Sequence, residues 1–229
     1  MVDILLALLI VLVTIGSYMV AVKFHQLYNY PFTAPMIIAS IILITILIVF
    51  HIPYETYMIG GKWINELLGP AVVALAYPLY RNRQLLKQLA SPILIGAAFG
   101  SFVGVLSGIY LSKLAGVSDF VTYSLLPKNV TTPVAMDIAE AVGGETSLTA
   151  IFVVIAGVGG VSVSTIVFKL FHVNNSLAKG IGLGGASHAI GTASAMEENQ
   201  LAGSIGSVAM VISALIVSVI TPLLITLLM

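Results

Sequence analysis

Apolar stretches recur along the chain at 3–22, 33–50, 64–80, 92–115, 121–142, 146–171, 177–196 and 204–228, with short polar linkers between them. Each comes close to the roughly 20 residues a helix needs to cross the hydrocarbon of a bilayer. Lipid offers the backbone no water, so every stretch is expected to be helical. The pattern predicts an all-α polytopic membrane protein with roughly seven to nine membrane elements in a single membrane domain spanning residues 1–229. The linkers, 23–31, 51–63 and 81–87, carry five of the nine Lys and Arg residues. Arg81, Arg83 and Lys87 form the densest basic cluster, which the positive-inside rule places in the cytoplasm, with the N-terminus outside. Lys169 and Lys179 fall outside if 121–142 crosses fully and inside if it re-enters.

Composition closes off other classes. Of 229 residues, nine are Lys or Arg and nine are Asp or Glu, so 8% are charged and 59% hydrophobic. A soluble domain carries about 25% charged residues. A mean hydropathy of +1.11 leaves no polar surface to show water. A net charge of zero, with no basic run beyond the three residues at 81–87, argues against nucleic acid as a partner. There is no Cys, and His25, His51, His172 and His188 are scattered, so neither a thiolate nor a metal site is expected, and no cofactor. The run 4–15 ends without a small-x-small cleavage site and reads as a retained span.

The informative places are stretches that make poor lipid-facing helices. In 121–142, Pro127 and Pro133 bracket Lys128, Asn129, Val130, Thr131 and Thr132. Each Pro costs about 3 kcal/mol inside a helix. The expected form is a half-helix, an unwound stretch, and a second half-helix starting near Pro133 and capped by Thr131 or Thr132. Its freed amides make an anion site. In 177–196, Gly180, Gly182, Gly184, Gly185 and Gly191 weaken the helix. His188 and Thr192 share one face, and Ser187, Gly191 and Ser194 make an adjacent small polar face. Two discontinuous helices, broken or re-entrant, are therefore expected. Laying 121–142 over 181–202 puts Thr132, Ala135, Met136 and Asp137 on Thr192, Ala195, Met196 and Glu197, and Lys128 on His188. This is a candidate internal repeat of the secondary-transporter kind.

Lys128 is the sharpest candidate, because a cation in hydrocarbon costs about 2.5 kcal/mol or more. His188 is a candidate for binding a carboxylate or carrying a proton. Asp137 is a candidate coupling site. Gly96, Gly100, Gly104 and Gly108 form a small-residue stripe for close helix packing, within the chain or in a homo-oligomer. Residues 128–133 and 187–192 together point to a secondary transporter for a small anion, with the substrate at Lys128, Asn129, Thr131, Thr132, Pro133, Ser187, His188, Gly191 and Thr192. A pore-former is the competing class. An intramembrane enzyme has no support, since no nucleophile–base pair or zinc motif is present.

The stretches Leu-Gly-Pro-Ala-Val-Val-Ala-Leu-Ala-Tyr-Pro-Leu-Tyr-Arg (68–81), Leu-Pro-Lys-Asn-Val-Thr-Thr-Pro-Val-Ala (126–135), Gly143-Gly144 and Gly-Gly-Ala-Ser-His-Ala-Ile-Gly-Thr-Ala (184–193) together resemble the LrgB/CidB family over nearly the whole chain. One departure is Asn129, where the family pattern has Ser. The resemblance implies two functions. One is a holin-like or antiholin-like protein that modulates murein hydrolase activity and autolysis, paired with a small LrgA/CidA-type membrane protein. The other is transport of small carboxylates such as pyruvate, glycolate or glycerate. It also implies a multi-pass protein of a bacterial cell membrane.

Overall fold

The computed structural model of the chain describes residues 2–28, 33, 35–67, 70, 73, 76–81 and 83–229. Among them all regular structure is helical and no strand occurs. Four helices are long and apolar enough to cross a membrane: Asp3–Tyr28, Ala90–Leu114, Thr146–Leu170 and Gln200–Leu228; Ile37–Val49 is apolar but shorter. Gly69 and Pro70 are expected to kink the stretch 64–80, and Gly69 lies outside the described residues. The chain packs as two compact units, Met1–Ala76 and Tyr77–Met229.

The first unit holds α1 (Val2–Tyr28), α2 (Pro35–Val49) and α3 (Tyr54–Glu66). Helix α3 occupies what the hydropathy reads as a linker. Its exposed Glu55, Lys62 and Glu66 hide the signal, because the face it buries is made of glycine. A Cβ at Gly60 would lie 2.6 Å from the Ala7 carbonyl oxygen and 2.7 Å from the Ile10 Cβ, so α3 rests backbone-close on α1. The linker expected at 81–87 is also largely helical: α4 (Ala76–Arg81) and α5 (Arg83–Gln88) occupy it. Arg83 holds them together, donating to the Tyr80 carbonyl at 3.0 Å with its guanidinium 4.3 Å from that ring's centre.

The second unit continues with α6 (Ala90–Leu114), α7 (Asp119–Leu125), α8 (Thr132–Ala141), α9 (Thr146–Leu170), α10 (Ser176–Glu198) and α11 (Gln200–Leu228). Helix α6 lies alongside α11 in the same direction. Ile93 and Ala97 pack with Ile205 and Ala209 at one end, while at the other the Lys113 ammonium donates to the Leu228 carbonyl. Helix α9 runs the opposite way: Val153 packs with Val105, Ile109 and Val217, and Val161 and Phe168 pack with Leu183 and Ala202.

Two segments fold back on themselves. Ser124 at the end of α7 accepts a 2.8 Å hydrogen bond from the Glu145 amide, and a Cβ at Gly144 would lie 2.8 Å from the Ser124 nitrogen. A straight helix would separate these residues by about 30 Å. Helices α7 and α8 are thus the arms of one hairpin, with its tip at 126–131. Helix α10 is the second. Its backbone leaves helical geometry at Ser187 (φ −125°, ψ 15°) and His188 (φ 42°, ψ −130°). Lys179 and Glu198, near its two ends, form an ion pair, and Leu183 packs with Ala195. The arm Ser176–Ala186 therefore meets the arm 189–198 side by side. Gly180 and Gly184 let this hairpin sit on α11: a Cβ there would lie 2.5 Å from the Ala202 carbonyl oxygen and 2.2 Å from that of Gly206.

Turns with positive φ end several helices. Gly143 (φ 87°) closes α8 with its Gly144 amide donating to the Ala139 carbonyl at 2.7 Å. His172 (φ 54°) ends α9, and the next amide, Val173, donates to Phe168 at 2.8 Å. This histidine has a helix-ending place.

Candidate functional site

The tip of the first hairpin is a pair of turns. The Lys128 amide donates to the Leu125 carbonyl at 3.1 Å and the Val130 amide to the Pro127 carbonyl at 3.2 Å. Pro127 cannot supply an amide, and Pro133 stands in the first turn of α8, where none is needed. Thr131 is the N-cap (φ −64°, ψ 147°), but its side chain makes no capping bond. The hydroxyl therefore leaves the first amides of α8 unclaimed, beside Thr132 and Pro133.

The tip sits on the glycines of α6. A Cβ at Gly104 would lie 2.1 Å from the Asn129 Nδ2, and one at Gly108 would lie 3.3 Å from the Lys128 Nζ. The ammonium donates one long bond, 3.4 Å, to the Gly104 carbonyl. Among the described residues the only ion pair is Lys179–Glu198, so no carboxylate neutralises Lys128 there. Gly96 meets Ile181 of the second hairpin, while Gly100 touches nothing within 4 Å. Three of the four stripe glycines thus seat the two hairpins.

At the second tip, Ser187, His188 and Thr192 are all buried, at 1–3% exposure. The His188 Nε2–H donates to the Val153 carbonyl at 3.0 Å, because that oxygen can only accept. A Cβ at Gly160 would lie 2.0 Å from the Ser187 Oγ, and one at Gly157 2.8 Å from the His188 ring. Gly191 has the Leu183 carbonyl oxygen 2.2 Å from its Cβ position, where the arms cross closest; Thr192 Oγ1 lies 3.4 Å from that of Gly206. The Ser187 and Thr192 hydroxyls have no hydrogen-bond partner among the described residues.

Val153 is the common point: its side chain packs in one cluster with Val130, and its carbonyl holds His188. The two tips thus reach the same depth along α9. Asp137 is elsewhere. It is exposed, lining a cavity of about 330 Å³ with Ser218 and Pro222. A second cavity, about 290 Å³, opens between the arms' outer ends and α9, lined by Ser164, Thr165, Lys169, Lys179, Ser194 and Glu198. The sequence reading did not identify Gly157 and Gly160 as the seats of the second tip. Their signal was the small run 156–160 inside an otherwise apolar helix.

A family model described as LrgB-like family matches residues 14–227. The chain is 44% identical over 218 residues to the "Uncharacterized protein YxaC" of Bacillus subtilis, covering 95% of each. It is 37% identical over 225 residues to the "Holin-like protein CidB" of Staphylococcus aureus, covering 98% of each, and 36% identical over 229 residues to that of Staphylococcus epidermidis, covering 96% of each. No solved structure matches.

Proposed function

The chain belongs to the LrgB-like family and is a multi-pass bacterial membrane protein, and from that footing we propose that it is a secondary transporter of small carboxylates. The observation that supports this most is Lys128, a cation at the tip of a hairpin, level with the second tip and with no carboxylate beside it among the described residues. A helix bundle that only opens holes gains nothing from a half-buried cation there, since a charge held inside hydrocarbon costs about 2.5 kcal/mol or more. A carboxylate ligand offsets that cost.

On this reading both hairpins are re-entrant, entering from opposite faces, and the membrane domain spans the whole chain. Helix α6 with the first hairpin and α9 with the second then form an inverted repeat, as in many transporters. Gly104 and Gly160 are its corresponding seats, each beneath the hairpin that follows its own helix. The pairing differs from the overlay of 121–142 on 181–202, whose offset of 60 residues, carried back to the preceding spans, sets Gly100 on Gly160. Re-entry places Lys169 and Lys179 on the side of Arg83 and Lys87, in keeping with the positive-inside rule; Leu86, Leu177 and Leu201 pack around one cluster at that end.

In the mechanism, Lys128 neutralises the substrate carboxylate. Asn129 and the first amides of α8, beside Thr131, Thr132 and Pro133, orient it. Ser187, His188, Gly191 and Thr192 close over it from the second tip. Alternating access exposes the tips to one face at a time. Asp137, exposed away from the tips, is a coupling group only if a moving face covers it. A small LrgA/CidA-type membrane protein is the expected partner.

The holin-like reading is favoured by the names of the two Staphylococcus relatives. Altered carboxylate flux would change autolysis indirectly, so the two descriptions are compatible. Uptake of labelled pyruvate, glycolate or glycerate into proteoliposomes, with and without the small partner, tests the proposal. Saturable uptake with a trapped dye retained supports it, and dye release without saturable uptake supports the holin-like reading.

A further inference from the structure

Among the described residues, six of the twelve buried hydroxyls return a hydrogen bond to the carbonyl one turn back. Thr122 donates to Ser118, Ser124 to Phe120, Thr149 to Glu145 and Ser207 to Gly203, at 2.7–3.0 Å. Ser101 and Ser213 do not, nor do Ser112, Ser187, Thr192 and Thr221; Ser101 and Ser213 are the pair at mid-length of α6 and α11. Both are fully buried, and neither Oγ has a hydrogen-bond partner among the described residues. An unpaired buried hydroxyl is costly, so its position needs a reason.

Their place is regular. Ser101 is the twelfth of 25 residues in α6, four after Ala97 and four before Val105; Ser213 is the fourteenth of 29 in α11, four after Ala209 and four before Val217. Ala97 and Ala209 belong to one apolar cluster, Val105 and Val217 to the other. The two serines are thus a polar layer at mid-length between two apolar layers. The Ser213 Oγ lies 3.5 Å from the Cβ position of Gly185, in the last turn of the second hairpin's first arm. That turn is the negative end of its helix, where carbonyls lack amide partners.

The layer therefore offers neutral, hard oxygens. No carboxylate joins them: Asp137 and Glu140 are exposed. Such a set suits a monovalent cation better than a divalent one, which takes carboxylates. We propose that Ser101, Ser213 and the carbonyl end of the arm Ser176–Ala186 form a binding site for a dehydrated monovalent cation of sodium's class. As a coupling ion it rests on the transport reading; as a binding site it does not. Anion at the first tip and cation at the second then enter as a neutral pair, the arrangement half-helix ends favour in transporters.

Binding of ²²Na⁺ to the purified full-length chain in detergent, at constant ionic strength in choline chloride, tests the site. Wild type is expected to bind saturably. Ser101→Ala and Ser213→Ala each should weaken binding at least tenfold, while Thr226→Ala, an exposed hydroxyl already bonded to Pro222, should leave it unchanged. Thermal stability in choline keeps the variants comparable: both serine variants should melt at or above wild type, yet lose the sodium-dependent rise. No saturable binding by wild type, or serine variants that bind as wild type does, overturns the proposal. A sodium gradient should also speed carboxylate uptake into proteoliposomes. Carboxylate uptake without sodium binding overturns the site and leaves transport standing; sodium binding without carboxylate uptake does the reverse.

Discussion

Replacing Gly184 by Ala puts a methyl carbon where the second hairpin meets α11. The new Cβ would stand 2.2 Å from the Gly206 carbonyl oxygen and 2.7 Å from its Cα. Ordinary contact is about 3.5 Å, so the seam must open by about 1 Å. Both clashing atoms are backbone, and no rotamer relieves them. Overpacking of this kind costs about 2–3 kcal/mol. Alanine returns about 1 kcal/mol through helix propensity. The net loss of about 1–2 kcal/mol lowers the melting temperature by roughly 2–8 °C in a chain of this size. Gly100→Ala is the matched control. The same substitution, again within a helix, meets nothing within 4 Å and should raise stability by up to about 1 kcal/mol. Fluorescence-detected size exclusion after heating measures both. A Gly184→Ala variant as stable as wild type, or a Gly100→Ala variant as damaged as Gly184→Ala, refutes the packing described.

Three further outcomes are expected. The chain has no Cys, so Ser124→Cys with Gly144→Cys has no background; oxidation should protect both thiols from a maleimide-polyethylene glycol, because a Cβ at Gly144 would lie only 3.1 Å from the Ser124 Cα. Persistent labelling would mean that the segment runs straight through. His188 holds φ at 42° and ψ at −130°, a region that suits glycine; His188→Gly should be about 1–3 kcal/mol more stable than His188→Ala in thermal unfolding, while both lose carboxylate uptake. Glu145 caps α9, and the amides of Leu148 and Ser147 hold its carboxyl below the usual range. Its contribution is full above that range and lost as pH falls through the lowered value, so Glu145→Gln should flatten the acid side of the stability profile.

The class of fold was legible because charge scarcity and stretch length are summed properties that no local error disturbs. The two irregular tips were legible for a local reason as well: Pro127 and Pro133 remove amides, and glycines surround His188. The direction of the chain after each tip was not. A hairpin and a straight broken helix have the same hydropathy, and contacts between the arms, such as the Ser124–Glu145 bond and the Lys179–Glu198 pair, distinguish them. Helix α3 was hidden because its buried face is Gly60 and Gly61, which carry no apolar signal. The glycine stripe of α6 was visible as a packing device, but its use was not: Gly96 serves one hairpin, Gly104 and Gly108 the other. Ser101 and Ser213 escaped notice because a helical serine ordinarily bonds its own backbone, and only the three-dimensional packing reveals which ones do not.

The central claim is that Lys128 carries the charge of a transported carboxylate. The direct measurement is initial uptake of labelled pyruvate, glycolate or glycerate by proteoliposomes holding wild type, Lys128→Ala or Lys113→Ala. Lys113 is an exposed cation of the same unit that bonds the Leu228 carbonyl at the far end of α6, away from the tips. The expected result is saturable uptake by wild type and Lys113→Ala and loss of most uptake in Lys128→Ala. Equal uptake by wild type and Lys128→Ala would contradict the account.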